Sequence, residues 1–314
     1  MLSSKAEHVF WMARSMERAE NTARMLDVTY RMSLLQHSKS RFSEWQAMLS
    51  ISGLHAAYAN QYLEIKPSSV LHFMALDANN PSSIFSCLFN ARENARAVRG
   101  AITSEMWEAL NHTWLEMRDI QAKGIPDDGI STFFDWIKER SHLSRGLTYG
   151  TLLQDDVFRF IRLGTFLERA DNTARILDVK YHILLTSPAD VGGAVDYYQW
   201  SALLRSVSAF EAYRKTYRDL ITPMRVAELL VIRPDMPRSL AACMNEVDRL
   251  VQEINGPRAT ELIRRCGSLH AELRFGTVEE IFEQGLHEYL SAFLVRISEL
   301  GSLVNTTYFW TQDE

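Results

Sequence analysis

Glutamate, arginine, asparagine and aspartate recur in one order at two places in this chain of 314 residues. Glu17 to Tyr30 reads ERAENTARMLDVTY and Glu168 to Tyr181 reads ERADNTARILDVKY, 11 identities in 14 positions. At about 100° per helical residue, Glu17, Glu20, Asn21, Arg24 and Asp27 share roughly a third of the circumference. Glu168, Asp171, Asn172, Arg175 and Asp178 repeat that polar stripe, beside an apolar one of the Ala19, Ala23, Leu26 and Tyr30 type. Two chemistries suit it. A buried Glu17 or Glu168 with a raised pKa would be a general base. Carboxylates matched to guanidiniums would instead lock two helices together, or hold a ligand between them.

Within one helix, Glu20 to Arg24, Asp171 to Arg175 and Arg24 to Asp27 have pairing distance. Exposed pairs of that kind contribute only about 0.3–0.5 kcal/mol each. So small a term gives no reason for both copies to hold the same residues. The two helices are therefore expected to face each other around a pseudo-twofold axis, with reciprocal pairs Glu17–Arg169 and Arg18–Glu168. Breaking such a pair, if fully buried, costs roughly 3–5 kcal/mol.

Two clusters occur once only. ARENARAVRG, from Ala91 to Gly100, sets Arg92, Arg96 and Arg99 on one helix face with Glu93 and Asn94 between them. Three guanidiniums so spaced suit carboxylate or phosphate; the plain alternative is a face salt-bridged to Glu93 and nearby acids. The matching part of the second half, NEVDRLVQEI, lacks the pattern, so repeat packing does not require it. The second cluster, KERSHLSRGLTYGTLLQDD at 138–156, gathers Arg140, His142, Arg145, Thr148 and Thr151 around Gly146 and Gly150. It is expected to join the halves and to end at helix N-terminal amides suited to an anion. His142 reads as a structural histidine before a general base.

Helices must position all of these residues. Apolar residues recur at three- and four-residue steps, and no alternating strand pattern competes. The repeat extends beyond its best segment: Trp45, Tyr58 and Tyr62 fall on Trp200, Tyr213 and Tyr217, and Pro81, Ser83 and Cys87 on Pro237, Ser239 and Cys243. From about 103 and 257 onward the halves no longer align. The expected fold is an all-α, internally duplicated bundle with about six helices per half, divided at 1–152 and 153–314 into one compact body. The longest helices are placed near 5–35, 41–64, 153–186, 195–220 and 277–310. Prolines sit at junctions, including Pro188 and Pro257. Capping boxes are read at Ser4–Glu7, Thr151–Gln154 and Thr277–Glu280, and loops at 122–129 and 190–195.

Other classes lose support. No paired Glu-x-x-His, HExxH, GxSxG or kinase set is present. Asp155-Asp156 lacks the DDxxD spacing of the acidic helices that hold magnesium on diphosphate. No metal or cofactor is implied. Net charge is −5, with 34 basic and 39 acidic residues, so nothing advertises nucleic acid or an anionic membrane. Cys87, Cys243 and Cys266 are too scattered for a disulfide framework and read as core residues. No apolar stretch is long enough to span a membrane, and the N-terminus lacks a signal-peptide pattern, so a cytoplasmic setting is expected.

ERAENTARMLD, NNPSSIFSCLFNARENARAVR, SEMWEALN, RSHLSRGLTYGT and FIRLGTFLERADNTARILD, in that order, resemble the bacterial alpha-E proteins. That family is all-helical and named for a glutamate–arginine motif, which would fall on Glu17-Arg18 and Glu168-Arg169. The chain departs from the family pattern at TLLQDD, 151–156, where methionine and arginine are expected after the threonine. The resemblance implies company rather than chemistry: ATP-grasp ligases and transglutaminase-like peptidases that form and trim amide bonds. From it we expect a non-catalytic accessory of an ATP-grasp ligase that presents an acidic peptide or amino acid. Arg92, Arg96 and Arg99 would clamp carboxylates, and the Glu-Arg helices would hold the cleft. A stand-alone enzyme using Glu17 or Glu168, a pure scaffold and a homo-oligomer are the alternatives.

Overall fold

Pro67 and Pro223 open helices at the first turn, where a missing N–H costs nothing, and Ser83 and Ser239 cap the helices that follow. Their hydroxyls accept from the amides of Ser86 (3.1 Å) and Ala242 (2.9 Å). Such punctuation, repeated along the chain, produces an all-helical structure. The computed structural model describes residues 3–34, 41–184, 193–256 and 258–309, and it contains no strand among them.

The first helices are α1 (Ser3–Ser33), α2 (Arg41–Ile51), α3 (His55–Ala59), α4 (Pro67–Ala75), α5 (Ile84–Ala97), α6 (Ser104–Lys123) and α7 (Ile130–Thr151). They are followed by α8 (Asp156–Leu184), α9 (Ala194–Ser206), α10 (Phe210–Tyr217), α11 (Pro223–Ala227), α12 (Leu240–Ile254), α13 (Thr260–Phe275), α14 (Val278–Gln284) and α15 (Leu286–Val304). Short π-type turns follow α11 and α15.

Three long helices expected from periodicity are each divided, giving more helices than six per half. The 41–64 segment breaks at Gly53 (φ 68°), the 195–220 segment at Ser208 (φ 55°) and the 277–310 segment at Gly285 (φ 98°). A left-handed residue ends a helix without disturbing apolar spacing, so periodicity alone passes over it. Thr277 does form a capping box with Glu280. Thr151 does not: it ends α7, and Asp155 instead caps α8 by accepting from the amides of Val157 and Phe158. RSHLSRGLTYGT is not a linker but the last turns of α7, and a Cβ at Gly146 or Gly150 would meet nothing within 4 Å. Of the expected 122–129 loop only 124–126 is irregular: 122 and 123 end α6, and Asp127–Gly129 form a 3-10 turn. Pro188, Pro257 and residues 190–192 lie outside the described residues.

α1 lies between α8 and α5, and α12 packs on the other flank of α8. α6 bridges α5 and α7, and α7 leans on α1; α13 bridges α12 and α15, and α15 leans on α8. One apolar core runs through them all, from Val9, Trp45 and Phe134 to Leu163, Leu204 and Phe293. Glycine is required where α1 meets α8, because a Cβ on Gly164 would sit 2.5 Å from the Phe10 carbonyl oxygen. That close approach brings the two Glu-Arg stripes within reach of each other. The three cysteines are free and buried, and burial pushes their thiols up to about 12.

Candidate functional site

The Gly164 crossing turns the polar stripes of α1 and α8 into the interface. Both reciprocal pairs are formed. Arg169 donates from Nε and Nη2 to the two oxygens of Glu17 at 2.9 and 3.0 Å. Arg18 donates from Nε and Nη2 to those of Glu168 at 2.6 and 2.9 Å. Arg24 and Arg175 each keep their own i−4 acid, Glu20 and Asp171, and reach across the interface to a helix corner. Arg24 donates to the Ser206 carbonyl (2.6 Å) at the end of α9, and Arg175 to the Ile51 carbonyl (2.8 Å) at the end of α2. Each thereby satisfies a carbonyl left over where a helix stops. Asp27 pairs with Arg31 and Lys138 rather than with Arg24.

Around Glu17 and Glu20 the interface is closed by further cations. Arg145 of α7 donates to Glu17 at 2.9 Å and also to Glu20. Arg238, in the turn before α12, donates to Glu20, to Glu17 (3.3 Å) and to Asn21 Oδ1 (3.3 Å). Ser141 donates its hydroxyl to Glu20 at 2.6 Å. Burial alone would push both carboxyls up, but Arg169 and Arg238 hold Glu17 below its ordinary value. Arg238, Arg145 and Arg24 hold Glu20 well below its own. Burial brings Arg238 down to about 10, against the pull of Glu20 and Glu17. The cavity left beside Glu17, Arg145 and Arg169 is about 70 Å³.

The Glu168 side is open. Glu168 accepts from Arg14 (2.8 Å) as well as Arg18, and these guanidiniums hold it at about 2 despite burial. Beside it lies a cavity of about 440 Å³ whose wall includes Arg14, Arg18, Asp171, Asn172 and Arg175. That is within the range of small-ligand pockets. No arginine enters it from α12's counterpart position: Arg238 precedes the cap Ser239, and Ser82 precedes the cap Ser83. Nor does one enter from α15. Buried Phe134, Ile137, Ser141 and Thr148 of α7 keep step with Leu290, Phe293, Ile297 and Val304 of α15, which sets Gly301 where α7 has Arg145.

The other residues singled out in the sequence have local partners. Arg92 is bonded to Asn111 (3.2 Å) and Glu93 and lies over Trp107, as does Arg99. Arg96 donates to Glu93 at 2.6 Å. Asn94 is hydrogen-bonded to His8 at 2.9 Å. The face carrying Arg92, Arg96 and Arg99 therefore resembles the salt-bridged alternative, and none of the three joins the Glu17 or Glu168 pairs. Arg140 is 3.8 Å from Glu116. His142, 3.8 Å from Glu20, is half exposed and is lowered by burial, with Glu20 opposing. Thr148 and Thr151 bond back to carbonyls of α7, and Thr151 also meets Thr103 at 2.9 Å.

Arg14, Arg238 and Gly164 were not among the expected site residues, because none belongs to the repeated Glu-Arg stripe or to the two clusters that occur once. Arg238 had a usable signal: it is a cation in a position where the aligned residue, Ser82, is small and neutral. Among the described residues no group of three or more His, Cys, Asp and Glu side chains could hold a metal ion, and no helix is long and apolar enough to cross a membrane.

These features define a helical protein whose Glu-Arg helices form an ion-paired centre beside a polar cavity. The chain belongs to the Alpha-E family, described as a predicted alpha-helical domain with a conserved ER motif, whose model matches residues 1–309. No curated protein and no solved structure matches it.

Proposed function

We propose that this protein is the non-catalytic partner of an ATP-grasp amide ligase, and that it holds an acidic peptide or amino acid for that enzyme. The observation that supports a binding role is the cavity of about 440 Å³ beside the Arg18–Glu168 pair, walled by Arg14, Arg18 and Arg175. An enzyme using Glu17 or Glu168 as general base would need a carboxyl raised toward neutrality. Both are held low by guanidiniums, so neither is poised to take a proton at neutral pH. In this reading the chain is an internal duplication, with residues 1–152 and 153–314 as its halves and α1 and α8 as their crossed arms. The matched caps at Ser83 and Ser239, and the hydroxyls of Tyr58 and Tyr213 bonded to carbonyls six and seven residues on, support it. Arg96, exposed near the end of α5, and Arg99, exposed in the turn that follows it, are the residues proposed to meet the partner.

The ligase is the one encoded beside this chain, an expectation that comes from the family's usual company; a transglutaminase-like peptidase belongs to the same setting. Co-purification with that ligase, followed by turnover assays with Arg96→Ala and Arg18→Ala, tests the role. We expect Arg96→Ala to weaken association and Arg18→Ala to lower turnover with association intact. Unchanged association and turnover in both variants would contradict it.

A further inference from the structure

We propose that the cavity between α1, α8 and α15 anchors a single carboxylate, and that Ser82 and Gly301 open it by standing where the Glu17 side has Arg238 and Arg145. The anchor is argued from geometry; its use in presenting a substrate rests on the role proposed above.

Hydrogen-bond accounting sets the sign of the ligand. Both oxygens of Glu168 accept from Arg14 and Arg18, and both of Asp171 accept from Arg175. The carboxylates in the wall are therefore satisfied, while guanidinium donors are left over. Arg14 uses only Nε, and Arg18 only Nε and Nη2. Asn172 is 4% exposed, yet its Nδ2 has no partner among the described residues. Its counterpart Asn21, which lines the same cavity, is bonded through both ends of its amide, to Arg238 and to the Glu168 carbonyl. A buried amide nitrogen without an acceptor costs about 1–3 kcal/mol, which a ligand oxygen would recover once the Asn172 amide turns toward the cavity it lines. Gly301 stands next to the end of Arg14 and places no side chain there; a Cβ would meet Nη1 at 3.5 Å, an ordinary contact, and only a longer side chain would cover it.

Charge and shape narrow the class. The guanidiniums of Arg14, Arg18 and Arg175 outnumber the carboxylates of Glu168 and Asp171 by a single positive charge. One carboxylate balances that; a phosphate monoester, at about −1.5 to −2, overshoots it. Trp11, Met25, Leu54 and Met74 line the same cavity and offer an apolar seat for the rest of the molecule. The ligand class is thus a monocarboxylate with an apolar body, as supplied by the terminal carboxylate of a short peptide or of an acylated amino acid. In peptide ligation that is the group an ATP-dependent ligase activates.

The test uses the full chain carrying fluorotryptophan. Trp11 lines the cavity with Arg14 5.0 Å from its ring, and its fluorine resonance is assigned with Trp11→Phe. The probes are N-acetyl-leucine, N-acetyl-leucinamide and inorganic phosphate, with N-acetyl-leucyl-alanine to separate the peptide from the amino-acid source. We expect saturable shifts of Trp11 with the carboxylates, and affinities at least about tenfold weaker for the amide, the equivalent of one charge-assisted contact. Ser82→Arg, which returns a guanidinium to the cavity, is expected to abolish the shifts while thermal unfolding confirms the fold. Ser298→Phe, on the exposed rim, serves the same end should Ser82→Arg not fold. Equal response to acid and amide, preference for phosphate, no saturable response of Trp11, or full binding by both blocked variants would each overturn the proposal. Loss of probe binding with ligase association intact would fall on the pocket alone. Binding without any association in the wild type would leave the pocket standing and remove the accessory role.

Discussion

Glu17 with Glu20 and Glu168 with Asp171 start from nearly the same eleven-residue sentence and end in different surroundings. Around the first pair, Arg145 and Arg238 arrive from α7 and from the turn before α12, and the remaining space is about 70 Å³. Around the second, glycine and serine stand in those places and about 440 Å³ remains. The difference lies outside α1 and α8, in residues those two helices cannot dictate. The same stripe can thus be a structural lock on one side and the wall of a pocket on the other.

Removing a cation from the closed side should be the most damaging change. Arg238→Ala leaves Glu17 and Glu20 together with one guanidinium fewer in a buried setting, and is expected to cost about 3–5 kcal/mol in denaturant unfolding. A cost under about 1 kcal/mol would mean that the closed side is not a lock. On the open side, Glu168→Gln releases Arg14 and Arg18, which can turn toward the cavity, so a smaller loss of about 1–3 kcal/mol is expected. Glu168 also sharpens the contrast by its acid dependence. Its carboxyl is held at about 2, below the ordinary 4.5, so its stabilisation is complete above 4.5 and is lost as pH falls toward 2. Glu168→Gln should flatten that part of the stability profile.

Glu44 of α2 gives the opposite slope. Its Oε2 is buried with no partner among the described residues, and burial pushes its carboxyl up to about 7. The unfolded chain releases that proton earlier, so stability should decline as pH climbs from 4.5 toward 7. Glu44→Gln should remove the decline and leave the variant more stable than the wild type at pH above 7. The smallest effect belongs to Arg96→Ala, an exposed residue paired with its helix neighbour Glu93, at within about 0.5 kcal/mol. A large loss there would give the α5 arginines a structural weight comparable with the interface.

The helical class, the long arms α1 and α8 and their reciprocal pairs were legible because a stripe of identical polar residues has few reasons to exist outside an interface. The helix breaks at Gly53, Ser208 and Gly285 were not, since a single left-handed residue leaves hydrophobic spacing intact. RSHLSRGLTYGT misled by its glycines, which suggested a loop, whereas Gly146 and Gly150 only face open space along α7. The pocket was the least legible feature. It depends on Ser82 and Gly301, small residues that carry no motif, and on pairing α7 with α15, whose sequences differ while their buried positions keep step.

The most direct test of the open side is the reaction of a cysteine placed in it. Ser82→Cys puts a thiol in the cavity wall, and the native thiols are buried and held near 12, so they stay silent. Rates with an anionic sulfonatoethyl and a cationic trimethylammonioethyl methanethiosulfonate are compared, each normalised to a small free thiol. We expect ready labelling with a clear preference for the anionic reagent, diminished by Arg14→Met. A thiol that does not react, or that prefers the cation, would contradict an open pocket with surplus donors.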